Sequence, residues 1–491
     1  MEQTETPFFD ALVAYWHKGV VPYHTPGHKQ GRGAPRRLRE TVGNPIFALD
    51  LSELEAPALD DDPEEVLHRA QRLASQAFGS DYTFFLTNGT TEGIHAMLMA
   101  TLHPGEQVIL ARNVHRSVVA GLVLSGAAPI YVEPSFHPQL AIPTGLTPES
   151  VHNALAANPK VRAMLITYPS YYGLASDLGS TIHQASEHGV VVLVDEAHGP
   201  HLHFHPALPP SAMDLGADAS AQSAHKLLGS FSGSSFLHIR ERRISIRRVK
   251  TALRLIGSTS PSFLLLASLD CTRQQMALEG EQLLERTLAL AQRARSAINA
   301  IPGLYCPGQE IVGSDGVAAY DPTKILVSVG GLGWTGAAAE RYLRRNCGLQ
   351  CELSDALNLL FLITIGDDDE TVDRLVEGLR RLAAVPPPAE VRRTLANLRH
   401  LLGEQRPQVP PLRLLPREAV FAPQRPVPLQ NSVGEICAEV LAPYPPGVPV
   451  ICPGEEITAE AVEYLRAVKR AGISIPGAED HRLETVKVVN G

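Results

Sequence analysis

Between Asp60 and Gln222, short runs that are apolar throughout alternate with stretches patterned as helices. A strand with no polar face cannot border water on either side, so these runs predict an α/β fold. Its mainly parallel sheet carries helices on both faces. Expected strands cover 82–87, 107–111, 129–133, 163–167, 190–194 and 217–222, with helices such as 148–157 and 177–188 between them. A helix is expected to start at Pro63, with Asp62 as its cap and Glu64 and Glu65 facing the dipole. Val66, Leu67, Ala70, Leu73, Ala74, Ala77 and Phe78 then recur at helical spacing until Gly79 ends the segment. In such sheets ligands bind beyond the carboxyl ends of the strands, which directs attention to the polar residues there.

The pattern divides the chain into an N-terminal segment (1–60), a large domain (61–300), a small α/β domain (301–385), a connector (386–426) and a C-terminal α+β domain (427–491). Prolines 386–388, 407, 410, 411, 416, 423 and 426 define the connector around one expected helix, 389–402. With 43 Lys plus Arg against 52 Asp plus Glu, the chain has no basic surplus for gripping nucleic acid. Its longest apolar stretches, 263–269 and 357–365, fall short of the roughly 20 residues a membrane helix needs. The N-terminus opens on acids, unlike a secretory signal, and the six cysteines form no CxxC pair. Together these predict a cytoplasmic protein with reduced thiols.

Three segments could carry chemistry. Asp195 directly follows an apolar strand, where a carboxylate is costly unless it caps a helix, binds a metal or meets a cation such as a protonated cofactor nitrogen. Lys226, in Ser223-Ala-His225-Lys226, follows the next strand; desolvation there would favour the free amine, although a lone lysine more often packs its stem at a surface. The turn Thr87-Asn-Gly89-Thr90-Thr91-Glu-Gly93 lets backbone amides converge on a phosphate at a helix N-terminus. Phosphate cradle, buried acid and lysine are together the parts of a pyridoxal phosphate enzyme. His198, His201, His203 and His205 suggest zinc on their own, with Asp195 as a further ligand of a metallohydrolase. That alternative leaves Lys226 and the cradle unexplained, so no metal is expected.

The chain resembles the ornithine/lysine/arginine decarboxylase family. The resemblance lies in His24-Thr-Pro-Gly-His-Lys-Gln-Gly31, Asn88-Gly-Thr-Thr91, Arg112-Asn-Val-His115-Arg-Ser, Tyr171-Tyr-Gly173, Val194-Asp-Glu-Ala-His-Gly199, Ser223-Ala-His-Lys226, Ser258-Thr-Ser-Pro-Ser262, Pro443-Tyr-Pro-Pro-Gly447 and Pro453-Gly-Glu455, and so covers nearly the whole chain. It implies an aspartate-aminotransferase type of fold and a homodimer or higher homo-oligomer with shared active sites. The reaction it implies is decarboxylation of a basic amino acid, with arginine favoured over lysine or ornithine by analogy of length. An aminotransferase and a catalytically silent cofactor-binding protein are the alternatives on the same fold.

Residue by residue, the resemblance makes Lys226 the Schiff-base lysine and Asp195 the partner of the pyridine nitrogen. His115 would stack on one ring face and Ala197 would pack on the other, with Lys226 or His115 returning the proton to Cα. The phosphate would meet Gly89, Thr90, Thr91, Ser223 and His225, joined by Ser258 or Thr259 of a second subunit. His198 lies in the same cofactor-site motifs. Asp50, Glu53 and Glu455 are candidates for the substrate's cationic end. Departures from the family pattern stand at Ala224, where threonine is usual, at Ser232-Gly233, where a Thr-Gln pair is usual, and at Ser170 after Pro169.

Overall fold

The computed structural model describes residues 2–51, 63–403, 407–443, 447–470, 475 and 477–490. The expected cap Asp62 and the candidate Glu53 lie outside them. The fold is α/β, with a large parallel-dominant sheet and many helices. Strands of the large sheet are β1 (Tyr82–Leu86), β2 (Gln107–Ala111), β3 (Ala128–Val132), β4 (Ala163–Thr167), β5 (Val191–Asp195), β6 (Ala219–Gln222) and β7 (Ser235–Ile239). Two of them, β2 and β4, have the expected bounds; β5 runs one residue further, so Asp195 is its last residue and not the first beyond it.

Contacts divide the chain into two compact units, Met1–Thr101 with Leu193–Leu284, and Leu102–Val192 with Glu285–Gly491. The chain changes unit within β5 and again within a 37-residue helix, Phe263–Asn299.

In the first unit β1 pairs antiparallel with β7, β7 antiparallel with β6, and the end of β5 parallel with β6. Two antiparallel steps restore the direction, so β1, β5 and β6 all end at the same edge. The helix Pro7–His17 buries Phe8, Leu12 and Tyr15 in a core with Val66, Ala70, Phe85, Phe236 and Phe263. Thr6, its N-cap by position, makes no capping bond; Asp270 instead accepts from the amides of Phe8 and Phe9. Arg273 completes this anchor, donating to the carbonyl oxygens of Gln3 and Glu5 and to Asp270.

In the second unit β2 pairs parallel with both β3 and β4. Lys324–Ser328 and Leu353–Ser354 each pair antiparallel with Asn358–Leu362, and the helices Gly336–Cys347 and Asp369–Ala383 supply Ala339, Leu343, Leu375 and Leu379 to the same core. A capping box between Asp368 and Thr371 starts the second of these helices. In the C-terminal body, Gln424–Pro428 pairs antiparallel with Thr485–Val489, and Leu465 of the helix Ala459–Arg470 joins Leu441, Ile451, Val486 and Val488 in its core. Its first strand begins three residues before the expected boundary at 427 because Arg425 and Pro426 are already paired with Val488 and Lys487.

Candidate active site

Lys226 and Asp195 stand at the shared edge of the first unit. Asp195 is 3% exposed, pairs in register with Ala221, and accepts from the amide of Ala197 at 3.2 Å. Five residues after Ala221, Lys226 sits in a single helical turn, Ala224–Leu227. Its Nζ lies 3.0 Å from Nε2 of the buried His198.

A cluster of hydroxyls lies at the same edge. Thr90 Oγ1 is 2.5 Å from Ser223 Oγ and 2.8 Å from Ser235 Oγ, joining the helix Gly89–Thr101 to the starts of the segments after β6 and before Phe236. Gly89 takes φ +71° with open space where a Cβ would stand, and its amide donates to Gly233 O at 2.8 Å. Thr91 is exposed, and His225 Nδ1 is 2.8 Å from Ser234 O. Hydroxyls, an imidazole and a helix N-terminus beside an open glycine form a donor set that fits a phosphate dianion, and a buried acid beyond them fits a protonated ring nitrogen. Pyridoxal phosphate carries both groups.

The other expected site residues have the following surroundings. His115 belongs to the second unit, is exposed, and caps the helix Arg116–Ser125 by accepting from the Ser117 amide. Ser258 and Thr259 are exposed, as is Ser260, whose amide donates to Ser258 Oγ. Asp50, one-third exposed, pairs with His28 at 3.1 Å. Glu455 is 1% exposed, and its carboxylate meets a cation, Arg112. Arg112 Nη1 donates to Oε1 at 2.5 Å and Nη2 to Oε2 at 2.8 Å, while the Cys452 amide donates to Oε2 at 2.7 Å. Two further donors of Arg112 reach Pro449 O and Val450 O, and its guanidinium stands 4.6 Å from the centre of the Tyr131 ring. With both oxygens bonded, Glu455 ties the C-terminal body to the end of β2.

The histidine run disperses: His198 turns to Lys226, His203 pairs with Asp214 at 2.8 Å, and His205 accepts from the Ala207 amide. Among the described residues no group of three or more His, Cys, Asp or Glu is arranged to hold a metal. Of the departures, Ala224 is fully buried, Gly233 supplies the carbonyl oxygen that receives the Gly89 amide, and Ser170 Oγ accepts from Leu174 N at 3.1 Å. A threonine at 224 would bring a hydroxyl into a position now wholly enclosed.

The family model for the Orn/Lys/Arg decarboxylase major domain matches residues 6–371, and that for the Orn/Lys/Arg decarboxylase C-terminal domain matches 409–488. This chain belongs to the Orn/Lys/Arg decarboxylase family. Within the family it is 42% identical to arginine decarboxylase of Bacillus subtilis over 491 residues, covering 100% of this chain and 99% of the other. To arginine decarboxylase of Halalkalibacterium halodurans it is 42% identical over 489 residues, covering 99% and 98%. Among solved structures, the fold is similar to that of the Francisella novicida lysine decarboxylase LdcF, with a TM-score of 0.86 at 22% identity over 99% of this chain and 81% of the other. The major-domain match ends at residue 371, before the expected 386–426 connector, and the C-terminal match begins at 409, within it.

Proposed function

We propose that this family member decarboxylates arginine to agmatine and carbon dioxide with pyridoxal phosphate, in the cytoplasm, as a homodimer or larger homo-oligomer. The observation that carries this reading is the gathering, at one sheet edge, of a buried acid (Asp195), a lysine set against His198 (Lys226) and the hydroxyls of Thr90, Ser223 and Ser235. Full-length relatives named arginine decarboxylase support arginine over lysine and ornithine.

When bound, pyridoxal phosphate supplies an electron sink for the pair left on Cα as carbon dioxide departs. Lys226 offers the amine that holds the cofactor, and His198 beside it takes up the proton that keeps that amine nucleophilic. Asp195 holds the proton on the ring nitrogen, and burial of its carboxylate strengthens that attraction. Gly89, Thr90, Thr91, Ser223 and His225 grip the phosphate, with the exposed Ser258 or Thr259 offered by a partner subunit. Ala197 would pack against the ring, and Lys226 would deliver the proton to Cα. Asp50, partly exposed, is the described acid left to meet the guanidinium.

A panel of arginine, lysine and ornithine with product identification tests the reading. Arginine is expected to give agmatine with a kcat/KM at least about tenfold above the other two, as a site shaped for a planar guanidinium would. Release of a keto acid in place of an amine would show the assignment to be wrong, and faster turnover of lysine would move the substrate but keep the reaction.

A further inference from the structure

We infer that Glu196 is a positioning residue for Lys226, fastening the strand that ends at Asp195 to the strand that delivers the lysine; the inference rests on the reading of Lys226 as the cofactor-bearing residue. Side chains alternate along an extended segment, so Glu196 turns away from its neighbour Asp195. Its carboxylate is fully buried. Oε1 accepts from the Ala212 amide at 2.8 Å, and Oε2 accepts from Ser220 Oγ at 2.5 Å and Gln222 Nε2 at 2.9 Å. The Glu196 amide donates to Ala221 O at 3.0 Å, so four bonds lock this residue onto β6 and the Ala212 turn.

In its ionised form the carboxylate only accepts, and this sets the direction of every bond beyond it. Gln222 must donate with Nε2, so its Oε1 is left to accept from His238 Nε2 at 3.1 Å. His238 Nδ1 then accepts from Thr83 Oγ1 at 2.8 Å. The main chain of Gln222 is held independently: its carbonyl oxygen accepts from Ser235 Oγ at 2.5 Å, the hydroxyl that also contacts Thr90. Gln222 is thus clamped on both sides immediately before Ser223, and four residues later the chain presents Lys226.

Among the described residues, the hydroxyl, amide and backbone donors around Glu196 include no cation. The charged and titratable groups facing it are Asp214, His203, which is paired with Asp214, and, through Gln222, His238. Burial pushes the Glu196 carboxyl up to about 7 and pushes His238 down to about 3. An apolar side chain would fill this interior at lower cost. The acid makes physical sense as the group that orders the strand ends.

The test uses holoenzyme variants Glu196→Ala and Glu196→Gln, with Lys226→Ala as reference. The visible absorption and circular dichroism of the lysine-bound cofactor, cofactor retention on dialysis, kcat and KM are measured beside the melting temperature. Glu196→Ala is expected to shift the pH midpoint of the visible band by about half a unit or more. Cofactor retention should weaken and kcat should fall roughly 10- to 100-fold with KM little changed, as for a misplaced reactive group. Glu196→Gln keeps the shape but inverts the donor order, and should recover part of each loss. If Glu196→Ala does not fold, a displaced band in folded Glu196→Gln supports the inference. Folded variants whose band, retention and kcat match wild type overturn it, whatever happens to the melting temperature. A wild-type band that survives Lys226→Ala would instead overturn the underlying reading of Lys226, and the inference with it.

Discussion

Replacing Lys226 with alanine is expected to give a folded protein with no visible cofactor band and a decarboxylation rate lowered by at least about 10⁴-fold, some 5 to 6 kcal/mol of barrier. The loss is chemical, since Lys226 is only partly buried and its Nζ contacts His198 without filling core volume. Lys226→Arg separates charge from nucleophilicity. A guanidinium keeps the positive charge but cannot give up its proton, so this variant should lose the band as completely as alanine does. Absorption spectra and single-turnover carbon dioxide release on the purified variants check both outcomes. A band retained in either variant would mean that another amine holds the cofactor.

Glu455→Ala is expected to destabilise the protein by about 3 to 5 kcal/mol, because it leaves the Arg112 guanidinium buried without its counter-charge. Arg112→Met should cost a similar amount by stranding the carboxylate. The paired change, Arg112→Met with Glu455→Leu, should recover most of the loss, since an apolar pair removes both desolvation penalties. Denaturant unfolding of the three variants measures the cycle. Had Glu455 been a substrate ligand, Glu455→Ala would raise KM for arginine with stability unchanged, and that result would reverse the structural role assigned here.

Much of the large sheet was legible because several of its strands are apolar on both faces, and Gln107–Ala111 and Ala163–Thr167 emerge with their expected bounds. Asp195 was legible for a related reason, a charged group where an apolar strand ends, and Lys226 through its place four residues after the next strand. Ser235–Ile239 carries no comparable signal. His238 interrupts its apolar run, and only the partners Thr83 and Gln222 make that histidine acceptable inside. The helix Phe263–Asn299 was hidden by a change of burial along its length, with Phe263, Leu266 and Leu269 in one core and Leu290, Ala294 and Ile298 in another. Arg112 and Glu196 both lie in motifs visible in the sequence, yet neither role could be read there. The Glu196 role depends on Gln222, whose amide direction is a three-dimensional fact. Arg112 depends on an acid 343 residues away.

That separation also orders events in the cell. A chain growing at roughly 5 to 20 residues per second needs about 20 to 70 seconds to pass from Arg112 to Glu455. During that interval β2 and its parallel neighbours can pair, but the guanidinium at the end of β2 must stay hydrated, because its carboxylate and the carbonyl groups of Pro449 and Val450 have not yet been made. The end of β2 therefore closes only after residues 449–455 have been made.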